Sequence, residues 1–156
     1  MRTARALLTL PLILVTACGG DDDVQPRDGT WSFVGSAAIN DTCMLDQLTV
    51  DNPGTFKLTN NGDGTFTVDD SQNVFDCTID GASFSCPSRL HDEQDIGAAI
   101  VSYNVSATGS FSSETAMSGR QQIVVTCVGA DCATFEMLTG VTTPCGWAQD
   151  FTASTS

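Results

Sequence analysis

The stretch CTIDGASFSC, residues 77–86, admits few folds. Ile79 and Phe84 are apolar, Thr78, Asp80, Ser83 and Ser85 are polar, and Gly81-Ala82 lies at the centre. A two-residue turn with Gly first is of type II′, which suits the twist of an antiparallel hairpin. It pairs Asp80 with Ser83, Ile79 with Phe84, Thr78 with Ser85 and Cys77 with Cys86. Hydrogen-bonded and non-hydrogen-bonded pairs alternate, so the cysteines fall on a non-hydrogen-bonded pair, about 4.5 Å apart at Cα. That is within reach of a disulfide. A turn at Asp80-Gly81 would set Cys77 opposite Phe84 and break the bridge.

The same period of two recurs along the chain. Between residues 99 and 107, Val101, Tyr103, Val105 and Ala107 share one face and Ser102, Asn104 and Ser106 the other, as in a half-buried strand. Residues 55–59 and 65–69 flank the turn-rich loop NNGDG. Pairing Leu58 with Phe66 and Phe56 with Val68 brings these four apolar residues to one face. Further strands are expected near 30–37, 43–50, 73–79, 82–86, 111–117, 121–128, 132–138 and 147–153. Residues 87–97 read as the longest polar connection. Many short strands with tight turns predict an all-β, antiparallel up-and-down meander, a small barrel of eight to ten strands, with a β-sandwich as the alternative.

The chain has seven cysteines, an awkward number for an exported protein. Cys18 stands apart, at the end of MRTARALLTLPLILVTAC. Arg2 and Arg5, an apolar run from Ala6 to Val15 and a small-residue exit make residues 1–17 a secretory signal. The run is well short of the ~20 residues of a membrane-spanning helix. Leu14-Val15-Thr16-Ala17-Cys18 resembles the lipobox of bacterial lipoproteins. The resemblance implies a diacylglycerol on the Cys18 thiol, cleavage after Ala17 and acylation of the new amino group. Several buried acyl chains, at about 0.8 kcal/mol per CH₂, make such an anchor durable. In that family an Asp after the lipidated cysteine retains the protein in the inner membrane. Gly19 here implies the outer membrane, facing either the periplasm or the outside. Residues 18–28, rich in glycine and charge, read as the lipidated Cys and a flexible acidic tether, and residues 29–156 as one disulfide-stapled β-domain.

Setting Cys18 aside leaves an even six, which in an exported domain reads as three disulfides. In CVGADC, residues 127–132, a Gly129-Ala130 turn pairs Cys127 with Cys132. Cys43 and Cys145 then join an early strand to the last. Cys127–Cys145 with Cys43–Cys132 is the alternative set. A single C-x₄-C spacing without a second such pair is not a zinc pattern.

After cleavage, Arg27, Lys57, Arg89 and Arg120 stand against nineteen acidic residues. This balance excludes nucleic-acid binding, which needs clustered positive charge. It also leaves the lipid as the one link to a membrane. His91, the single histidine, adjoins Asp92 and Glu93 but no identifiable nucleophile, and reads as part of a solvated loop. Nucleophile-elbow, zincin, P-loop and dinucleotide motifs are absent, so neither a catalytic site nor a cofactor is expected. Residues 59–70 echo a calcium loop, with Thr59 and Asp70 in place of its first Asp and last Glu. The hairpin reading accounts for the same residues without a metal.

Gly29-Thr30-Trp31 opens the first strand and resembles the G-x-W motif of lipocalins. The resemblance implies an eight-stranded barrel closed at one end by the Trp and holding a small apolar ligand. It also implies a later arginine packed on that Trp, and Arg120 is available. The plain alternative is a Trp that fills the core. Trp31, Phe33, Phe56, Phe66 and Tyr103 are the candidate ligand-lining or core residues. Two functions follow. One is a lipid-anchored barrel that binds a small apolar molecule in a cavity of several hundred Å³. The other is a structural or protein-binding envelope lipoprotein with a packed core and an exposed apolar patch or sheet edge.

Overall fold

The computed structural model describes residues 24–44 and 52–156. The signal segment, Cys18 and most of the strand expected over 43–50 lie outside the described residues. The elements are β1 (Gly29–Gly35), β2 (Asn52–Asn60), β3 (Thr65–Asp69), β4 (Val74–Asp80), β5 (Ser83–Asp95), β6 (Ala99–Ser113), β7 (Ala116–Gly129), α1 (Cys132–Thr139) and β8 (Cys145–Ser154). Each strand pairs antiparallel with the next, and β8 returns to β1 to close a barrel. This is the up-and-down barrel that the alternation predicts, with eight strands and no sandwich. Closure removes the free sheet edges that short strands would otherwise expose.

Period-two burial drives the fold. In β4, Cys77 and Ile79 are buried between exposed Asp76, Thr78 and Asp80. One end of the barrel is solid. Trp31, Leu58, Phe66 and Phe111 are buried there, with Phe111 centred 5.6 Å from Phe66, 5.3 Å from Phe84 and 6.3 Å from Trp31. Residues 24–28 cross this end as a strap. Val24 N–H donates to Gly81 O at 3.0 Å, Arg27 N–H to Glu114 O at 2.8 Å, and Trp31 Nε1–H to Arg27 O at 3.0 Å. Asp28 Oδ1 accepts from Asn60 N at 2.6 Å. The tether expected through residue 28 is thus bound to the barrel from Val24 onward. Pro26 and the charged residues suggest a linker, but here the segment bonds to the β4–β5 turn, the β6–β7 turn and the end of β2.

Strands β5 to β8 outrun β1, β3 and β4. Their far ends carry a second cluster, in which Cys43, Val101, Val125 and Cys145 are buried with Tyr103, Trp147 and Phe135 against them. After β1 the chain follows β8, with Ile39 bridged to Ala148 and Thr42 N–H donating to Gly146 O at 2.9 Å. It arrives at the Cys43–Cys145 disulfide, whose Cα atoms are 5.1 Å apart.

Several local expectations need correction. Leu58 pairs with Val68, and Phe66 with Asn60, two residues from the expected register. Side chains in the loop make the difference. Asn60 Oδ1 accepts from Gly62 N and Asp63 Oδ1 from Thr65 N, closing two Asx turns that move the bend one residue along the chain. Residues 132–138 are helical rather than a strand. Ala133, Glu136, Met137 and Leu138 favour a helix, and Gly140, at φ 74°, closes α1 in the left-handed conformation. The Cys127–Cys132 bridge forms from the end of β7 to the first turn of α1, at 5.8 Å between Cα atoms. Residues 87–95 are strand, paired to β6, and residues 114–115 are a turn inside the expected strand 111–117. Arg120 faces away from Trp31 and pairs across the sheet with Asp150, Nε to Oδ1 at 2.7 Å.

Candidate functional site

Above the aromatic plug the barrel is hollow. A cavity of about 310 Å³ is lined by residues from all eight strands, so it is the lumen itself. Its wall carries six phenylalanines: Phe33, Phe56, Phe66, Phe75, Phe84 and Phe151. The volume is at the lower end of the 300–1,000 Å³ typical of small-molecule sites.

Glycines hold the space open. Phe84 of β5 pairs with Gly109 of β6, Gly109 with Gly119 of β7, and Gly119 with Phe151 of β8. The two glycines leave bare backbone between two phenyl rings, whose centroids lie 6.4 Å apart. A Cβ on Gly109 would lie 2.6 Å from Phe84 Cζ, and one on Gly119 3.0 Å from Phe151 Cζ. Phe33 lies against its cross-strand partner Gly54 in the same way. The rings therefore lie along the wall rather than across the lumen, an arrangement known as aromatic rescue of strand glycine.

Polar groups gather where β4 and β5 part. Their ladder holds three pairs, Asp80–Ser83, Ile79–Phe84 and Thr78–Ser85, and the Cys77–Cys86 disulfide follows at 4.2 Å between Cα atoms. Gly81, at φ 60°, occupies the first central position of the turn, as type II′ requires. Beyond the bridge, β5 is irregular, with register shifts between Cys86 and Arg89 and between Leu90 and Asp92. Bulges re-aim side chains, and His91, inside the second shift, lines the lumen. It is a strand residue, half-buried, rather than part of a solvated loop. Its ring stacks on Phe75 at 6.3 Å between centroids.

The β3–β4 connection reaches across to it. Asn73 Nδ2 donates to the His91 carbonyl at 2.8 Å, and His91 Nδ1 is 3.5 Å from Asp70 Oδ2. Asp70 is fixed through its other oxygen, which accepts from Gln72 N at 2.9 Å and Asn73 N at 2.7 Å. Asp70 and His91 are the titratable groups of the lining, and Ser106, Gln121 and Gln149 are its other polar residues. None of Arg27, Lys57, Arg89 and Arg120 lines the cavity, and all four are exposed.

Of the residues expected to line a ligand or fill the core, Phe33, Phe56 and Phe66 face the cavity. Trp31 lies beneath it with no exposed surface, and Tyr103 belongs to the second cluster. Cys18 lies outside the described residues. Asp70, Phe75, Phe84 and Phe151 were not anticipated as lining, although the alternation of Phe75 with Cys77 and of Phe84 with Cys86 marks them as inward.

Two carboxylates are held by hydrogen bonds away from the cavity. Arg120 holds Asp150 through two bonds, at 2.7 and 3.1 Å, which lowers the Asp150 pKa and raises that of Arg120. Thr143 donates its backbone N–H and its hydroxyl to Glu136 Oε1, both at 2.7 Å, and these bonds lower the Glu136 pKa. They tie α1 to the chain that leads into β8.

No protein-family model, curated protein or solved structure matches this chain.

Proposed function

We propose that this protein is a lipid-anchored lipoprotein of the bacterial envelope whose barrel binds a small, mainly apolar molecule. The observation that carries the ligand is the phenylalanine-lined lumen of about 310 Å³. Its polar groups are few, and Asp70 is held by two backbone N–H groups, as in sites that orient a ligand while apolar contacts hold it. The anchor rests on the sequence, where the lipobox ends at Cys18 and Gly19 favours the outer membrane. Three disulfides among the described residues suit an oxidising compartment. Among the described residues no helix is long and apolar enough to cross a membrane.

A second reading, a protein-interaction lipoprotein without a ligand, draws on α1. Met137 and Leu138 are more than three-quarters exposed there, and Val128 at the end of β7 is nearly as exposed. Exposed apolar side chains of this kind suit a protein partner.

The anchor is tested by fractionating cells that express the full chain and its Cys18→Ser variant. The parent is expected in the membrane fraction and the variant in the soluble one; a membrane-bound variant contradicts the anchor. The ligand is tested by titrating the soluble variant with naphthalene and following tryptophan fluorescence. Saturable binding that is weakened by filling the lumen with Val105→Trp is expected. Binding unaffected by that substitution contradicts the lumen as the site.

A further inference from the structure

We propose that the lumen selects an apolar molecule carrying a cationic amine, with Asp70 as the group that receives it. The inference rests on the reading of the lumen as a ligand site and adds the chemistry of the head group.

Three observations converge. First, the lining carries one carboxylate, Asp70, and no lysine or arginine. A ligand carboxylate would enter beside Asp70 with no lysine or arginine to pair it, and burying an unpaired charge is costly. Second, Asp70 is pre-organised. Oδ1 accepts from two backbone N–H groups, which leaves Oδ2 on the side of His91. His91 Nδ1 faces both Asp70 Oδ2, at 3.5 Å, and Asn73 Nδ2, at 3.3 Å. An ammonium has three donors and no acceptor, so it suits a carboxylate oxygen held in this way, and a charge-assisted bond to a carboxylate is the stronger kind. Third, the remaining wall is aromatic. Phenyl faces are negative and attract cations, while the body of the ligand packs on Phe33, Phe56, Phe84 and Phe151.

The surroundings act in the same direction. Asp92 and Glu93, next to His91 on β5, and Asp69, next to Asp70, are all exposed acids. With a formal net charge of −13 on the chain, the field at the mouth favours entry of cations.

The test uses the full chain carrying Cys18→Ser and three probes with one body and different heads. These are 4-phenylbutylamine, 4-phenylbutan-1-ol and 4-phenylbutyrate, titrated calorimetrically at neutral pH. The amine is expected to bind about tenfold more tightly than the alcohol, the increment of one charge-assisted bond. The carboxylate is expected to be weakest. Asp70→Asn keeps an acceptor for Gln72 and Asn73 and should abolish the preference for the amine over the alcohol. Equal affinity for the three heads, or tightest binding of the carboxylate, overturns the amine assignment and leaves the apolar-ligand reading intact. An amine preference that survives Asp70→Asn overturns the role of Asp70. Absence of binding by all three overturns the assignment together with the reading on which it rests. The comparison of heads on the unsubstituted lumen decides the matter even if Asp70→Asn fails to fold.

Discussion

Adding one methyl group at Gly54 tests how the lumen is kept open. The new Cβ would point at the Phe33 ring, 2.7 Å from Cζ and 3.1 Å from Cδ1, with no backbone among its nearest neighbours. Carbon atoms pack at about 3.5–4.0 Å, so the ring has to retreat by about 1 Å. Phe33 packs beside Phe56, at 6.3 Å between centroids, and its cross-strand neighbour on the other side is Ala153. The direction left for it is the lumen. Overpacking of this kind costs about 1–3 kcal/mol. Alanine returns about 0.4–1 kcal/mol by restricting the unfolded chain. The net expectation is a loss of about 1–2 kcal/mol in urea denaturation, with weaker binding of an apolar probe. Phe33→Leu in the same chain removes the clashing ring, and the double-mutant cycle should show a coupling of about 1–2 kcal/mol. Gly54→Ala as stable as the parent, with no coupling to position 33, would refute the argument.

Three further perturbations follow from the packing. Replacing Cys43 and Cys145 by Ala opens a bridge that spans 102 positions, for an expected loss of about 4–5 kcal/mol; the nine-position Cys77–Cys86 bridge is worth about 2–3 kcal/mol. Urea curves of the two double variants give that order, and the reverse order contradicts it. Trp31→Phe removes the indole donor to Arg27 O, so hydrogen exchange at the Val24 and Arg27 amides should quicken while the strand amides stay protected. Glu136 is held below its ordinary pKa by Thr143. Its contribution is therefore present above the unfolded carboxyl value and lost as pH falls through the lower folded value. The Thr143 amide resonance should follow that acid titration, and Glu136→Gln should remove it.

The barrel was legible because its alternation is strict where strands face the core. The 77–86 hairpin was legible to the residue, since Gly81-Ala82 fixes one register and the cysteines admit no other. The 58–68 hairpin was not, because Asn60 and Asp63 bend the loop through side-chain bonds that leave apolar periodicity unchanged. Helix α1 is hard to read even though Ala133, Glu136, Met137, Leu138 and Gly140 carry an ordinary helix signal, because a hairpin turn at Gly129-Ala130 joins the same two cysteines as the helix does. The cavity lining divides similarly. Phe33, Phe56 and Phe66 follow from alternation, whereas His91 does not, because a bulge turns it inward within a polar run. Nor does the sequence reveal that Gly109 and Gly119 face one another across the sheet. That depends on the register of two long strands joined by the Glu114-Thr115 turn.

The central claim is that the lumen is hollow and admits an apolar molecule. It is tested most directly by intermolecular NOEs between 4-phenylbutan-1-ol and the assigned aromatic protons of the soluble Cys18→Ser chain. The predicted result is contact with Phe33, Phe56, Phe84 and Phe151 and none with Tyr103. Absence of contact with these rings at saturating alcohol, or contact confined to Met137 and Leu138 on α1, would contradict it.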